Sequence, residues 1–346
     1  MTLTRTTVLR ICVAVCPFVF TGAAVSQSAK PVPGPGPLTV QLDWKSTAQF
    51  AGILVAQEQG YYAAEGLAVT IRSDDGTGAP SVEMVAKHAG DAAGWVGITE
   101  ADQLLTADAK GAKLKAFATM MQSTPFALLT LKDSGLTTIK SLRGKAIGLH
   151  DDGEKALDVL LQFNGMTRAD VTVMRIGYEF DSLLSGKVAA MQGYTNDEVV
   201  RLEMEGHPVN VIPMSANGYV AYAEVLFANA GFVGTHVAEL EKFVQATGRG
   251  WSYAQEHQDE TAKMIVAKYA TDSSVAEQRA SLEETLKLVY AESPRFGMMR
   301  RETWRRSVEM FERYKLVEGD LKVGDVVDGG VLRRLYAAAG SQKQQP

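Results

Sequence analysis

Short apolar runs alternate along this chain with stretches whose apolar residues recur at helical spacing. Residues 38–43 (LTVQLD) have the composition of a β-strand. Ser46 or Thr47 then caps a helix through about Gln59, with Gly60 at its C′ position. A turn at 61–65 leads through Gly66 into a second strand at 68–72. The result is a βαβ unit with Trp44 where its first strand ends. In open α/β sheets that edge is where small ligands sit.

The alternation continues, predicting helices at 81–88, 100–109, 154–164, 181–185 and 196–205. Strands are predicted at 93–98, 115–121, 145–149, 171–176, 189–194, 209–213 and 223–229. This order implies α/β layers around parallel sheets. From residue 235 strand signals nearly vanish, leaving amphipathic helices near 235–256, 259–270, 274–291, 301–315 and 329–339. Residues 341–346 are expected to fray.

Residues 1–26 have a basic start (Arg5, Arg10), an apolar run at 11–20 and small residues after it. They read as a secretory signal peptide, and the run is too short for a membrane anchor. A lipoprotein reading at Cys16 is weaker, because the apolar run continues past the cysteine. Cleavage would remove both cysteines, Cys12 and Cys16, and with them any disulfide, thiolate or Cys-based metal chemistry. It would also remove two arginines and no acids, taking the formal charge from −5 to −7. An acidic exported protein has no electrostatic case for nucleic acid. The proline-rich residues 27–37 then form an extended tether. The five histidines show no ligand spacing, so no metal site is expected.

Four pieces of the chain, in order, resemble the periplasmic substrate-binding proteins related to the thiamine-pyrimidine biosynthesis family. They are Asp43-Trp44 with AGILVAQEQGYYAAEGL, QLLTADAKG from Gln103, QSTPFALLTLKDSGLTTIKSLRGKAIGL from Gln122, and MQGYTNDEVVRLEMEG from Met191. The resemblance implies an α/β, two-lobed periplasmic-binding-protein fold of type 2, with two hinge crossings and a C-terminal helical section. One lobe would comprise residues 38–121 plus 228–340, and the other residues 122–227 with the hinge segments. The crossings are expected near 122–129 and 219–227. The implied role is that of a periplasmic, monomeric binding protein that hands a small heteroaromatic ligand to an ABC-type permease. A thiamine-precursor pyrimidine is the leading ligand, no cofactor is required, and organic sulfonates are the alternative. The family also contains pyrimidine-forming enzymes that use a pyridoxal-phosphate lysine, a histidine and an iron-holding cysteine run. Those positions align with Thr99, Gln103 and residues 219–223 here, none of which can do that chemistry.

Candidate contacts follow from the strand ends. Trp44 is placed to stack on a flat ring or to pack under the helical tail. Gln49 suits a ring amide or plain solvent exposure, and Phe50 is a packing residue. Trp95 is either core or contact, while Thr99 and Glu100 follow a strand's C-terminal end. Glu100 suits a ligand amino group or a helix cap. Gln122 and Ser123 enter the first crossing. The loop His150-Asp151-Asp152-Gly153-Glu154 opposes phosphate, with Asp152 the candidate contact, although acids also complement a helix start. Tyr194 suits stacking, and Asn196 or Glu198 a hydrogen bond, with capping the alternative for Asn196. Tyr219 and Tyr222 flank the return crossing. No catalytic constellation can be read from these spacings.

Overall fold

The computed structural model describes residue 2 and residues 36–74, 79–91 and 93–342. The segment read as a signal peptide and all of the tether before residue 36 lie outside the described residues, apart from Thr2.

The first unit is β1 (Gly36–Gln41), α1 (Ala51–Glu58), α2 (Tyr61–Ala64) and β2 (Leu67–Arg72). Gly60 adopts φ +69°, the left-handed conformation that ends α1. Thr47 makes no side-chain cap, contrary to expectation. The Gln278 Oε1 atom, far along the chain, instead accepts from the Ala48 N–H at 2.8 Å. Next come α3 (Ser81–Lys87), β3 (Gly94–Thr99), α4 (Ala101–Ala109) and β4 (Leu114–Met121). The chain then builds a second sheet from β5 (Phe126–Leu131), β6 (Ala146–Leu149), α5 (Glu154–Phe163) and β7 (Thr172–Arg175). It is completed by α6 (Asp181–Leu184), β8 (Ala190–Tyr194), α7 (Glu198–Met204) and β9 (Val209–Pro213). Strand β10 (Ala223–Asn229) returns to the first sheet.

Among the described residues the strands form two five-stranded sheets, ordered β2-β1-β3-β10-β4 and β7-β6-β8-β5-β9. Both are mixed, not parallel as the alternating pattern implied. β10 runs antiparallel to β3 and β4, and β5 antiparallel to β8 and β9. The reason is topological. Each of these strands arrives from the other sheet and starts at the edge where the neighbouring strands end. The C-terminal ends of those neighbours therefore face one cleft between the two lobes.

The helical section is α8 (Ala230–Thr235), α9 (Val237–Glu256), α10 (Gln258–Lys268), α11 (Val275–Val289), α12 (Arg301–Tyr314), α13 (Val323–Val326) and α14 (Gly330–Gln342). Helix α14 extends over Ser341 and Gln342, two residues expected to fray. One core joins β1, α1 and α9 through Val40, Ile53, Leu54, Phe243 and Trp251. Helix α9 crosses α1 closely because neither helix has a side chain at the crossing. A Cβ on Gly250 would lie 1.9 Å from the Gly52 carbonyl oxygen. A second core spans both sheets, with Phe126, Leu160, Phe227, Trp304 and Phe311 in contact. The helical section thus packs on both lobes.

Candidate functional site

The cleft edge of the first sheet is built of acids. Asp43 follows β1, Glu100 follows β3, Asp102 lies in the first turn of α4, and Glu224 is the second residue of β10. Glu100, Asp102 and Glu224 are only 5%, 2% and 1% exposed, where a carboxylate is costly unless paired. Gln49 Nε2 donates to Glu224 Oε1 at 2.7 Å. Asp43 and Glu224 act on each other as neighbouring acids, and the burial of both opposes their ionisation. Glu224 also adopts φ +51°, a left-handed backbone that a side chain beyond Cβ disfavours.

From the second sheet, Tyr194 at the end of β8 donates its hydroxyl hydrogen bond across the cleft to Glu100. Gln192 Nε2 donates to Asp152 Oδ1 at 2.7 Å, and Gln192 Oε1 accepts from the His150 backbone N–H at 3.1 Å. This reach requires Gly153, because a Cβ there would overlap the Gln192 oxygen. Aromatic rings close the mouth. Trp44 and Tyr178 lie with centroids 4.4 Å apart, and His150 meets the other side of this contact, 4.4 Å from Tyr178. A groove of about 330 Å³ runs outward from Trp44 and Tyr178 past Asp197 and Arg201 to Gln278. The hollows of about 480 and 460 Å³ lie over the helical section, away from the acids.

Electrostatics follow from burial. Desolvation, with neighbouring acids, pushes Asp43 up to about 7 and Asp102 up to about 6. It raises Glu100 and Glu224 well above the carboxylate range, against a lowering hydrogen bond from Tyr194 at Glu100. Burial also lowers the His150 pKa, favouring the neutral ring. Asp152 contributes its charge to Asp43, Glu100, Asp102 and Tyr219. Several buried oxygens find no hydrogen-bond partner: Asp43 Oδ1, Glu100 Oε2, Asp102 Oδ1, Glu224 Oε2 and the Tyr219 hydroxyl. Such groups cost about 1–3 kcal/mol each when left unmet. The arrangement suits a small molecule that brings hydrogen-bond donors and a flat face.

A family comparison decides the affiliation: the NMT1/THI5-like family matches residues 47–261. The chain belongs to the NMT1/THI5-like family. Among its relatives is the riboflavin-binding protein RibY of Chloroflexus aurantiacus, 28% identical over 277 residues, which cover 77% of this chain and 78% of RibY. The formylaminopyrimidine-binding protein of Halalkalibacterium halodurans is 25% identical, covering 81% of this chain and 86% of that one. A 4-amino-5-hydroxymethyl-2-methylpyrimidine phosphate synthase of Uromyces fabae is 28% identical over 62% of this chain and 65% of the enzyme. Among solved structures, the alkanesulfonate-binding protein of Xanthomonas axonopodis pv. citri, bound to MOPS, superposes with a TM-score of 0.64. It shares 14% sequence identity, over 85% of this chain and 99% of that one. The likeness establishes the two-lobed type 2 periplasmic-binding-protein fold for this NMT1/THI5-like chain.

Within that fold, Trp44, Gln49, Glu100, Asp152, Tyr194 and Tyr219 converge on the cleft. Thr99 is buried at the end of β3, opposite Val225. Other expected contacts have different work. Trp95 stacks on His88 with centroids 4.1 Å apart, because it sits near the start of β3, not at its C-terminal end. Gln122 donates to the Arg295 carbonyl and accepts from the Glu292 N–H, both at 2.9 Å, pinning the first crossing to the helical section. Ser123 beside it is half-buried. The Tyr222 hydroxyl accepts from the Arg300 N–H at 2.8 Å, on the side away from the acids. Asn196 Nδ2 donates to Thr285 Oγ1 at 2.9 Å, a bond from the second lobe to α11, and caps nothing. Glu198 accepts from the Tyr194 backbone N–H at 2.7 Å, fixing the turn that aims Tyr194. In the 150–154 loop, Asp151 pairs with Arg175 and Glu154 lies 3.8 Å from Arg168, so Asp152 alone is directed to the cleft.

Sequence reasoning did not single out Glu224, Asp102, Gln192 or Tyr178. For Glu224 a signal existed, since a lone acid interrupts the otherwise apolar strand AEVLFAN. Asp102, three residues past a strand end, looked like any acid in a first helical turn.

Proposed function

We propose that this chain is the extracytoplasmic solute-binding component of an ABC-type importer, and that its lobes close on a small heteroaromatic ligand, with a thiamine-precursor pyrimidine the leading case. The observation that supports this most is a cluster of acids with buried, unpartnered carboxyl oxygens beside the Trp44–Tyr178 contact. An aminopyrimidine offers an amino donor and a basic ring nitrogen on one edge, and a flat face to stack. Relatives named for riboflavin and formylaminopyrimidine agree with a flat nitrogen heterocycle. In this reading residues 38–121 plus 228–340 form one lobe and residues 122–227 the other. The chain is exported by its N-terminal segment, works as a periplasmic monomer and presents its closed form to a permease.

Binding without turnover is part of the proposal. The pyridoxal-phosphate chemistry of synthase relatives needs a lysine amine where this chain has the hydroxyl of Thr99, and a phosphate would sit against Glu100 and Asp102. An organic sulfonate would meet the same acids.

Thermal-shift screening of the mature protein against aminopyrimidines, thiamine, riboflavin and sulfonates tests the reading. Aminopyrimidines are expected to raise the Tm. A shift with sulfonates alone would falsify the heteroaromatic assignment, and iron-dependent consumption of pyridoxal phosphate would sink binding without turnover.

A further inference from the structure

The most unusual residue in the cleft is Glu224. It is the non-glycine residue within a described strand that takes a left-handed backbone, and it does so while buried. Gln49 occupies one oxygen at 2.7 Å, while Glu224 Oε2 and Asp43 Oδ1 have no hydrogen-bond partner. The largest outside charges acting on the pair are those of Glu100, Asp152 and Asp74, all acidic, and among the described residues neither carboxyl forms an ion pair. A strained acid pair with unpartnered oxygens and no ion pair among the described residues is unfinished without a positively charged or proton-accepting partner.

We propose that Asp43 and Glu224 are the specificity clamp of the cleft, reading the nitrogen edge of the ligand and giving up one carboxyl proton as a cation enters. This rests on the binding role proposed above and adds the ligand's charge class. A neutral aminopyrimidine takes the proton on its ring nitrogen, leaving a pyrimidinium against a carboxylate with no net proton exchange. A permanent cation, such as an arylamidinium, takes none, so the displaced proton goes to solvent.

Titration calorimetry in buffers of different ionisation enthalpy separates these cases, using benzamidine, 4-aminopyrimidine and benzenesulfonate. At pH 5.5 benzamidine should release close to one proton per molecule bound, and at pH 8.5 close to none. Its affinity should rise by up to about tenfold per pH unit over the lower part of that range. At pH 8.5, where it is neutral in solution, 4-aminopyrimidine should show no net release, and benzenesulfonate should not bind. Glu224→Gln and Asp43→Asn should each abolish the proton release while circular dichroism and Tm report an intact fold. Unchanged proton counts in both variants, with 4-aminopyrimidine still bound, would overturn the clamp and leave the binding role standing. Benzenesulfonate binding in place of both bases would overturn the two together, as would binding of none of the three.

Discussion

Glu100 and Tyr194 come from different sheets, and their hydrogen bond is the most direct polar link across the cleft. Removing the hydroxyl with Tyr194→Phe leaves a buried carboxyl without its donor. Affinity for the preferred heterocycle should fall about tenfold, or ~1.4 kcal/mol, by calorimetry. Trp44 contributes a surface instead of a bond. Trp44→Ala should cost at least about tenfold in affinity and remove the ligand-induced change in tryptophan fluorescence, because Trp251 and Trp304 are fully buried in the cores and Trp95 is stacked on His88. A quench that persists in Trp44→Ala would place the ligand elsewhere. Glu224 carries backbone strain whose relief should be measurable. Glu224→Gly accepts φ +51° without penalty and removes a buried acid. At pH 8 it should be about 1 kcal/mol more stable than the parent in urea unfolding, while losing selectivity for bases.

At the scale of elements, α1 and α9 meet at two glycines. Gly250→Ala would drive a methyl group into the Gly52 carbonyl, so the helices must separate. Overpacking of this kind costs about 1–3 kcal/mol and should appear as a drop of several degrees in Tm. The N-terminus that leads into α1 depends on a side chain about two hundred residues away. Gln278→Ala frees the Ala48 N–H and should cost about 1 kcal/mol in the same assay. Local sequence had offered Ser46 and Thr47 for that task. The long-range donor–acceptor pair prevailed because α11 packs its glutamine against the helix start.

For the whole molecule, the raised carboxyl groups set a pH dependence of unusual sign. Asp43 near 7, Asp102 near 6 and Glu198 near 8 stay protonated in the folded chain at pH values where the unfolded chain has lost those protons. The folded state therefore binds more protons between about pH 4 and 8, and its stability must fall as pH rises through that window. The slope should reach about 1.4 kcal/mol per pH unit for each excess proton. Below the window, surface pairs such as Glu58 with Lys268 lose their charge, and stability should turn down again. Urea unfolding of the ligand-free protein should thus show a maximum on the acidic side of neutrality. A flat profile from pH 5 to 8 would mean that these acids are solvated.

The order of strands and helices, the glycine that ends α1 and the amphipathic helical section were all legible in the sequence, since each depends on the period of apolar residues or the φ of one residue. The strand ends also pointed to the edge where Glu100 and Tyr194 face each other, because α/β sheets gather their C-terminal edges. What remained for the tertiary structure was every relation between distant segments. The direction of β5 and β10 depended on crossing between lobes, which leaves no trace in local alternation. The acid pair joins residues 43 and 224, and only the return of β10 between β3 and β4 brings them together. Trp95, Gln122 and Tyr222 have the residue types of ligand contacts. The side of the strand or crossing on which each fell gave them to packing instead.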